Sequence, residues 1–501
     1  MQEFSGDTIP LVCDLDGTLS RADTTHELLV LFLKAHPFLG WLRVLLWIRS
    51  GKAWLKENLH VDVGTRLELA HLPYSEELIR SAPYQAASFR VLVSGAAQPV
   101  VDGVARVIGG FEDAVGTRDR HNLNSRAKAA YLCERYPGGF DYIGNSKDDL
   151  AVWEKARRSY AVNAPASVMA AAEARGIALE ILVPRAAQAR ALLKGLRLHQ
   201  WVKNALIFVV PALNLALLTP GLLVQLVAIF LAFGLVASAT YLINDLLDIQ
   251  EDRKHHSKLA RPFASGELDI VTGVMAIAGC FAAGMALALL TDPLLAGMLL
   301  IYATVSLVYS FKLKRVVILD AMTLAGLFCW RILAGNVALG VEINVWFMTA
   351  VGAFFLSLAF GKRCIELERK AARASGGALA PEAATGAKEA ATGLADQSVQ
   401  LHGRGYQSCD FPVVLGLGIV TGMAAPLVVL IYIYLSGSSL VNHTSSALSL
   451  AGLLTYWLAR FWILVNRGQV QDDPIIFALR DRNSLGLLSV IASILVLEQI
   501  T

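Results

Sequence analysis

Charged residues and cysteines are both scarce in this chain of 501 residues. Only 17% of the residues are charged and 55% are hydrophobic, whereas about a quarter of the residues of a typical soluble protein are charged. This composition excludes an ordinary soluble enzyme. The six cysteines lack the close spacing of a metal knuckle or a disulfide framework, so we expect reduced thiols. The formal net charge is only +3, and we expect no nucleic-acid partner.

The apolar residues are unevenly distributed, which predicts two fused domains. Up to about residue 190, short apolar segments alternate with charged helical stretches, as in a doubly wound α/β domain. The clearest predicted strands are Pro10–Cys13, Phe89–Val93 and Phe140–Ile143. The first apolar run is short and ends in two aspartates, so we expect no cleaved signal peptide and a cytoplasmic N-terminal domain.

From about residue 205 onward, apolar runs approach the roughly 20 residues needed to cross a bilayer. We predict an all-α membrane domain of about nine spans, at residues 205–218, 221–243, 270–290, 294–311, 316–339, 345–361, 411–435, 447–466 and 484–499. The connections after the even-numbered spans carry lysines and arginines, and the other connections carry none. By the positive-inside rule, the basic connections lie in the cytoplasm with the α/β domain, and the C-terminus lies across the inner or plasma membrane.

The predicted domain boundaries follow these changes in composition. Residues 1–184 form the α/β domain, residues 185–200 a linker or interfacial segment, and residues 201–501 the membrane domain. Within the membrane domain, residues of about 371–400 are rich in alanine and glycine. They predict a flexible insertion, to which we assign no chemistry.

Two aspartates follow the first predicted strand directly. Asp14 and Asp16 lie at the position where open α/β sheets bind ligands. One carboxylate there can attack phosphorus to form an aspartyl phosphate, while the second protonates the leaving oxygen. Because adjacent carboxylates repel each other, we expect Mg²⁺ between them and the phosphate. Asp14 and Asp16 are therefore candidate catalytic residues and metal ligands.

The segment Asp14–Thr18 resembles the first motif, DxDGT, of the haloacid dehalogenase (HAD) superfamily. The resemblance covers nearly all of residues 8–184. It implies a HAD-like phosphatase domain with a helical cap at about residues 23–87, closing over the substrate.

The same resemblance implies roles for residues of the later motifs. Ser94 and Lys128 would hold the phosphoryl group, and Asp149 would be a further metal ligand, with Asp148 as its rival. Asn145 stands where the family usually has an aspartate. This departure removes one negative charge from the implied metal site.

Three tryptophans of the implied cap, Trp41, Trp47 and Trp54, are interleaved with arginines and lysines. Such a mixture on helices suits a membrane interface. It equally suits the core of a cap domain, so the pattern is compatible with both positions.

A second acidic segment lies at the cytoplasmic end of the second predicted span. At 100° per residue, four side chains fall within roughly 100° of one helix face: Asn244, Asp245, Asp248 and Asp252. Oxygen-only ligands indicate Mg²⁺, which would bridge to a diphosphate leaving group. We predict that all four are metal ligands and that Asp248 and Asp252 are catalytic. The alternative is a solvated helix end, but Asn and Asp are poor helix formers with little reason to repeat on one face.

Further polar residues are expected at the same cavity mouth, where they would bind phosphate oxygens or substrate. They are Lys203, Lys258, Arg261, Tyr309, Lys314 and Asp320. Arg331 lies eleven residues beyond Asp320, on nearly the same helix face but about 16 Å deeper. The two residues cannot pair directly, so each needs a partner on another helix or in a ligand.

The segment Asn244–Asp252 resembles the first aspartate-rich motif, NDxxDxxxD, of the UbiA superfamily of intramembrane prenyltransferases, which have nine helices around a central cavity. The second motif of the aromatic prenyltransferases, DxxxD, is represented only by Asp320. Four segments are more similar to the polyprenyl-phosphate phosphoribosyltransferase branch: Gln200–Asn204, Tyr309–Lys314, Gly361–Arg363 and Asp472–Pro474. This resemblance adds three candidate substrate-binding residues: Asn204, Lys362 and Arg363.

In that branch, a lipid phosphate attacks C1 of 5-phosphoribosyl pyrophosphate (PRPP) and diphosphate leaves. The resemblance therefore implies transfer of phosphoribosyl from PRPP to a polyprenyl phosphate, with Mg²⁺ in both domains. The phosphatase domain would then remove the 5-phosphate from the lipid-linked product. The alternative is strict prenyl transfer from a polyprenyl diphosphate to an aromatic or other acceptor. A third interpretation makes the spans a transporter or an anchor and the α/β domain the only enzyme.

Overall fold

The computed structural model describes residues 9–256, 258–374, 404–436, 444–470 and 473–500. The chain forms two compact units: unit 1 comprises Met1–Arg197 and Tyr241–Gly279, and unit 2 comprises Leu198–Thr240 and Cys280–Thr501. Residues 241–279, which the sequence analysis assigns to the membrane domain, therefore pack with the N-terminal residues. Most of the predicted insertion at residues 371–400 lies outside the described residues. All six cysteines are described and are free thiols, as expected.

Unit 1 contains, in its described residues, a parallel sheet of six strands in the order β3-β2-β1-β4-β5-β6. The strands are β1 (Leu11–Cys13), β2 (Arg90–Ala97), β3 (Asp113–Thr117), β4 (Asp141–Gly144), β5 (Ser159–Val162) and β6 (Leu179–Val183). The prediction of an α/β domain with a parallel sheet is thereby confirmed. Leu11 and Cys13 of β1 belong to one apolar cluster, and Val12 belongs to another. Because successive side chains of a strand point to opposite faces, both faces of the sheet are covered.

Ten helices accompany the sheet in the described part of residues 9–197. They are α1 (Thr24–Ala35), α2 (Gly40–Arg49), α3 (Lys52–Val63), α4 (Glu76–Ile79), α5 (Ala82–Ala86), α6 (Gln98–Ile108), α7 (Ser125–Arg135), α8 (Leu150–Trp153), α9 (Ala166–Glu173) and α10 (Gln188–Leu196). Helices α1 to α5 lie between β1 and β2, where the sequence analysis expects a helical cap. Leu28 and Phe32 of α1 and Leu59 of α3 are buried in the core of this region.

The three tryptophans between β1 and β2 occupy different environments. The ring of Trp47 packs on Phe32, with 4.9 Å between the ring centroids. The guanidinium of Arg120 lies over the ring of Trp54, at 4.4 Å. Trp41 is 52% exposed. Trp47 and Trp54 are therefore half-buried and in contact with other side chains, whereas Trp41 faces outward.

The second stretch of unit 1 consists of the end of one long helix, a short helix and the start of another. They are α12 (Pro220–Leu247), α13 (Ile249–Arg253) and α14 (Ile270–Thr291). Apolar residues of this stretch, including Leu242, Ile249 and Phe263, form one buried cluster with Ala191 of α10. Burial of this cluster stabilises the association of the two stretches of unit 1.

Unit 2 consists of helices. Besides the first part of α12 and the second part of α14, they are α11 (Val209–Ala212), α15 (Pro293–Phe311), α16 (Leu319–Leu339), α17 (Val345–Ala374), α18 (Phe411–Ser436), α19 (Thr444–Asn466), α20 (Pro474–Arg480) and α21 (Arg482–Ile500). Within the described residues, seven helices are long and apolar enough to cross a membrane: α12, α14, α15, α16, α17, α18 and α19.

The first and last of the nine predicted spans are not among these seven. The first corresponds to the 3₁₀ helix Leu198–Phe208 followed by the single turn of α11. Pro211 lacks a backbone N–H group and disfavours a long helix here. The last corresponds to α21, whose apolar helical part, Arg482–Leu497, is shorter than the other spans.

Candidate active sites

Lys128 joins two carboxylates that are far apart in the sequence. Its Nζ donates to Asp14 Oδ1 at 2.7 Å and lies 3.8 Å from Asp149 Oδ1. Asp14 follows β1, Lys128 lies in the first turn of α7, and Asp149 closes the 3₁₀ turn after β4. The side chains of all three are more than nine-tenths buried. The structure thus brings together three of the residues that the sequence analysis predicts for this site.

Tyr142 of β4 completes this group, which we call the Lys128 cluster (Asp14, Lys128, Tyr142 and Asp149). Lys128 Nζ donates to the Tyr142 hydroxyl at 3.0 Å, and the hydroxyl donates to Asp149 Oδ1 at 2.5 Å. The sequence analysis missed Tyr142. One feature of the sequence could have identified it: Tyr142 is a phenol in an otherwise apolar predicted strand that ends at the acidic motif.

Asp149 is held in place by several donors. Its Oδ2 accepts hydrogen bonds from the backbone N–H groups of Asn145 and Ser146 and from the Ser146 hydroxyl, at 2.8 to 3.0 Å. Its Oδ1 accepts from Tyr142. Both oxygens are therefore engaged. Asp148, its rival in the sequence analysis, is exposed and accepts from Asn124 Nδ2 at 3.3 Å.

Asp16 lies beside the start of α1. Its Oδ1 accepts from the Thr24 backbone N–H at 2.8 Å. Burial, with repulsion from Asp23, raises the pKa of Asp16 to about 8. Burial also raises the pKa of Asp14, to about 6, although Lys128 opposes this shift. A carboxyl that holds its proton at neutral pH is suited to act as a general acid.

Gly17 of the first motif permits a close contact with the fourth. Its φ is +75°, and a Cβ atom there would lie 1.9 Å from Asn145 Nδ2. Any other residue would therefore be strained and would also displace Asn145. Asn145, which departs from the family pattern, is thus packed against the loop that carries Asp14 and Asp16.

Ser94 lies within β2, which extends past the end predicted for this strand. Its side chain is buried, and its hydroxyl accepts from the Ala96 backbone N–H at 3.1 Å. Lys56 of α3 was not singled out by the sequence analysis as a site residue. Its Nζ donates to Gly95 O at 2.6 Å and to Asn122 Oδ1 at 3.0 Å. Burial lowers the pKa of Lys56, although the nearby Asp16 opposes this shift.

Two carboxylates of the aspartate-rich segment share one arginine. Arg261 Nη1 lies 2.9 Å from Asp245 Oδ1 and 2.7 Å from Asp252 Oδ2. Arg197 Nη2 contacts both oxygens of Asp245, at 2.5 and 2.7 Å, and Lys258 Nζ lies 3.5 Å from Asp252 Oδ1. We call these five residues the Arg261 cluster. Lys258 and Arg261, predicted to contact phosphate, here neutralise the predicted metal ligands.

The predicted single helix face is interrupted at Asp248. Helix α12 ends at Leu247 and α13 begins at Ile249. Asp248 has Lys34 Nζ of α1 at 3.7 Å from its Oδ1, whereas Asp245 and Asp252 meet at Arg261. The side-chain oxygen of Asn244 is buried and accepts no hydrogen bond. The structure therefore brings together two of the four predicted ligands, and it orients Asp248 toward α1.

Helix α1 also contacts α13 through a buried ion pair. Arg253 donates to both carboxylate oxygens of Glu27, at 2.8 and 2.5 Å. Gln250 Nε2 donates to the same carboxylate at 2.9 Å. Glu27 and Arg253 are 2% and 3% exposed, so the pairing satisfies two charges that would be costly to bury alone. Because the first residue of α1 contacts Asp16, one helix touches both acidic segments.

The oxygen-only character of both acidic groups suits Mg²⁺. However, no group of three or more His, Cys, Asp or Glu side chains in the described residues is arranged to hold a metal ion. In the Arg261 cluster, arginines and a lysine neutralise the carboxylates. The unpartnered oxygen of Asn244 is the feature that best fits a hard cation.

In unit 2, two lysines share one carboxylate. Lys203 Nζ and Lys362 Nζ lie 3.2 and 3.0 Å from Asp473 Oδ2. These three residues line one end of a cavity whose walls are mainly apolar and include Leu324 and Phe328. The structure thus joins two predicted substrate-binding lysines that are far apart in the sequence. Asp472, the other acid of the predicted tail motif, lies outside the described residues.

Asp320 is fully buried and fully engaged. Its carboxylate lies 2.7 Å from Arg363 Nε, accepts from the Tyr406 hydroxyl at 2.6 Å and lies 3.4 Å from Arg404 Nη1. Glu366 pairs with Arg363 on the next turn of α17. The predicted residues Asp320 and Arg363 therefore meet. The sequence analysis missed Tyr406 and Arg404, which follow the low-complexity stretch.

The two remaining predicted residues are Tyr309, which contacts Arg363, and Lys314, which lies near Tyr309 in the sequence. Tyr309 accepts from Arg363 Nη2 at 3.3 Å and from Arg404 Nη1 at 3.4 Å. Lys314 is half-buried in the 3₁₀ turn Leu313–Arg315. Tyr309 therefore joins the group around Asp320.

Arg331 has its own partners, as the sequence analysis predicts. Its Nε donates to Asn204 Oδ1 at 2.8 Å and its Nη2 to the Tyr302 hydroxyl at 2.7 Å. Asn204 is 1% exposed, and its amide nitrogen donates no hydrogen bond. The separate partners of Asp320 and Arg331 confirm that the two do not pair directly.

Comparison with known proteins identifies the family. Residues 205–480 match the UbiA prenyltransferase family. Over 98% of its length, the chain is 35% identical to an uncharacterized protein, y4nM, of Sinorhizobium fredii, and it covers 91% of that protein. Over 58% of its length it is 31% identical to the nodulation protein NoeC of Azorhizobium caulinodans, of which it covers 87%.

A third relative carries an enzyme name. The decaprenyl-phosphate phosphoribosyltransferase of Mycobacterium tuberculosis is 31% identical over 35% of this chain and 60% of its own length. The family match covers more than half of the chain, and the seven apolar helices agree with an integral multispan membrane protein. The chain therefore belongs to the UbiA prenyltransferase family.

Proposed function

We propose that the membrane domain transfers phosphoribosyl from PRPP to a polyprenyl phosphate and releases diphosphate. The observation that carries this proposal is that Asp320 is buried and already paired. Its carboxylate is buried and paired with Arg363 and Tyr406, and the DxxxD motif of the aromatic prenyltransferases is missing around it. One acidic segment therefore remains to bind a diphosphate. The similarity to decaprenyl-phosphate phosphoribosyltransferases supports the same choice.

The aspartate-rich segment is proposed to bind the diphosphate end of PRPP together with Mg²⁺. The oxygens of Asn244, Asp245, Asp248 and Asp252 would hold the ion, and the unpartnered Asn244 oxygen supports this assignment. When bound, Mg²⁺ stabilises negative charge on the leaving diphosphate. Arg261 and Lys258 lie against the same carboxylates and supply donors for phosphate oxygens.

The two lysines at the apolar cavity are proposed to bind the phosphate of the lipid acceptor. Lys203 and Lys362 carry two positive charges against the single carboxylate of Asp473. The mainly apolar walls suit the first isoprene units of a polyprenyl chain. In the transfer, a phosphate oxygen of the lipid bonds to C1 of the ribose, and the bond from C1 to the diphosphate oxygen breaks.

The N-terminal domain is proposed to be a HAD-type phosphatase that acts on the lipid-linked product. Asp14 attacks the 5-phosphate, and Asp16 gives its proton to the departing ribose oxygen. Water then releases phosphate from Asp14. Lys128, at 2.7 Å from Asp14, holds positive charge at the attacked position. Asp14 and Asp16 would hold Mg²⁺, whose charge offsets the repulsion between the phosphate and these carboxylates. Ser94 would bind a phosphate oxygen.

The test uses the full chain reconstituted in nanodiscs with PRPP, polyprenyl phosphate and Mg²⁺. We expect release of diphosphate, formation of a lipid-linked phosphoribose, and then release of inorganic phosphate. Absence of any lipid-linked phosphoribose refutes the transferase proposal. Accumulation of that product without release of phosphate refutes the phosphatase proposal alone.

Prenyl transfer in the strict sense is the second candidate, and membership of the prenyltransferase family favours it. The same acidic segment would then bind the diphosphate of a polyprenyl donor. Incubation of the full chain with a labelled polyprenyl diphosphate and an aromatic acceptor separates the two candidates. We expect no alkylated acceptor.

A further inference from the structure

Helix α2 carries an apolar face that the rest of the described chain leaves open. Trp41, Leu45, Leu46 and Ile48 are each between 52% and 63% exposed, and Phe38, just before the helix, is 85% exposed. Soluble surfaces rarely expose contiguous apolar patches of this kind unless they bind something. We call this patch, with Leu39 and Leu42, the outer face of α2.

The outer face covers one side of the helix. At 100° per residue, the apolar positions from Ile48 through Leu45 to Leu46 span an arc of roughly 160°. The opposite side packs inward, where Val44 is buried and the ring of Trp47 contacts that of Phe32. The inward side alone accounts for the packing of α2 on α1. The outer face is therefore not required by the fold of unit 1.

The charges around the outer face indicate what covers it. No acidic residue occurs between Pro37 and Lys56, whereas Arg49, the last residue of α2, and Lys52, the first residue of α3, are exposed. An apolar helix face with a tryptophan and flanking basic residues matches the interface of a bilayer that contains anionic lipids. The chain is an integral membrane protein, so a bilayer is always present.

We propose that the outer face of α2 lies in the headgroup region of the bilayer and docks the N-terminal domain on the membrane surface. The occupant is lipid, with Trp41 and the leucines among the upper acyl chains and with Arg49 and Lys52 at anionic headgroups. This contact is independent of the seven spanning helices and of the reaction that either domain catalyses.

Docking through α2 orients the region between β1 and β2. Helix α3 follows α2 after two residues, and its Lys56 donates to the backbone oxygen of Gly95, next to Ser94 in β2. Helix α1, which packs on α2 through Phe32, begins at the Asp16 contact. A membrane-bound α2 would therefore hold α1 and α3, which contact Asp16 and Gly95, close to the lipid-linked substrate of the proposed phosphatase.

The test measures lipid contact at single positions of the full chain. Leu45→Cys is labelled with an environment-sensitive fluorophore in a background in which the exposed Cys133 and Cys409 are serine. The protein is reconstituted in nanodiscs of phosphatidylcholine and phosphatidylglycerol, with and without nitroxide-labelled lipid. Val107→Cys is the matched control, because Val107 is an exposed apolar residue near the end of α6 and lies outside the outer face of α2.

We expect blue-shifted emission and about a twofold quenching by nitroxide lipid at position 45, because interfacial helices insert about 5–10 Å into the headgroup boundary. At position 107 we expect neither. Equal, water-like emission at both positions overturns the proposal. Blue-shifted emission at position 45 that nitroxide lipid does not quench also overturns it, because a second protein copy would then cover the helix.

A second variant separates docking from folding. In Leu42→Glu/Leu46→Glu, two exposed leucines are replaced, so the apparent melting temperature should change little. The probe at position 45 should lose its quenching. A variant that retains full quenching contradicts the proposal, and so does one whose melting temperature collapses, because the leucines would then be part of the folded core.

Discussion

The Lys128 cluster and the Arg261 cluster differ in how far positive side chains neutralise their carboxylates. In the first, two buried carboxylates share one lysine, and Asp16 beside them accepts a backbone N–H. In the second, two buried carboxylates face two arginines and a lysine. The first group therefore carries an excess of negative charge, and the second carries none.

This difference indicates how each site meets its ligand. Burial, with repulsion from neighbouring carboxylates, raises the pKa of Asp14 and Asp16. The excess of negative charge favours the binding of a cation. The Arg261 cluster already holds three positive side chains against two carboxylates, so a cation that binds the carboxylates frees the arginines for an anion. The second site is therefore suited to a metal and a phosphate group that arrive together, as in a complex of Mg²⁺ with PRPP.

Replacement of the nucleophile should separate the two sites most sharply. We expect Asp14→Asn to lower phosphate release by at least about 1000-fold, since loss of a nucleophile removes most of the chemistry. Diphosphate release from PRPP should be unchanged, and the lipid-linked phosphoribose should accumulate. Glu76→Gln, which alters an exposed ion pair of α4, is the matched control and should retain both activities. Equal loss of both activities in Asp14→Asn would contradict the assignment of separate sites.

Asp248→Asn should produce the reverse pattern. Loss of this carboxylate should lower diphosphate release by about 100-fold, because it removes charge from the proposed metal and diphosphate site. Phosphate release from a supplied lipid-linked phosphoribose should persist. Retention of full transfer activity would favour the interpretation in which the spans are only an anchor.

Removal of the ion pair between α1 and α13 tests whether this contact stabilises the part of the fold that carries both acidic segments. Glu27→Ala leaves Arg253 buried without its carboxylate, so the free energy of unfolding should fall by about 3 kcal/mol. The apparent melting temperature of the protein in nanodiscs reports this loss. Glu77→Ala, which breaks the exposed ion pair with Arg21, is the control and should cost less than about 0.5 kcal/mol. Equal decreases of the melting temperature in the two variants would show that the buried ion pair stabilises the protein no more than the exposed one does.

The smallest effect is expected at the proposed lipid-phosphate site of unit 2. Lys362→Ala should raise KM for polyprenyl phosphate about tenfold, the equivalent of one lost charged contact. KM for PRPP should stay constant, because Lys362 contacts Asp473 and the apolar cavity. A rise in KM for PRPP instead would assign the lysine to the other substrate.

The sequence predicts local features of these sites better than long-range ones. The motif after β1 locates Asp14, and the later motifs locate Lys128 and Asp149, because each of these residues lies in a short segment with a recognisable pattern. Tyr142 was missed because a phenol inside an apolar strand is ordinarily part of the core. The helical face of Asn244 to Asp252 was predicted from a period of 100° per residue, which holds only until the interruption at Asp248.

The pairing of Glu27 with Arg253 could not be predicted, because 226 residues separate the two and neither lies in a motif. The same holds for Asp320 with Tyr406. The periodicity did establish that Asp320 and Arg331 need different partners. What the sequence could not supply was the identity of those partners, which depends on how helices pack.

The division of unit 1 into two stretches has a consequence for biosynthesis. When residues 1–197 have been translated, every strand of the sheet has been made. Arg253, the partner of Glu27, has not yet been translated. The N-terminal domain thus completes its fold only after α12, an apolar segment destined for the bilayer, has emerged. A gene cut after residue 197 would therefore yield a polypeptide in which the Glu27 carboxylate lacks Arg253 and Ala191 lacks its apolar partners.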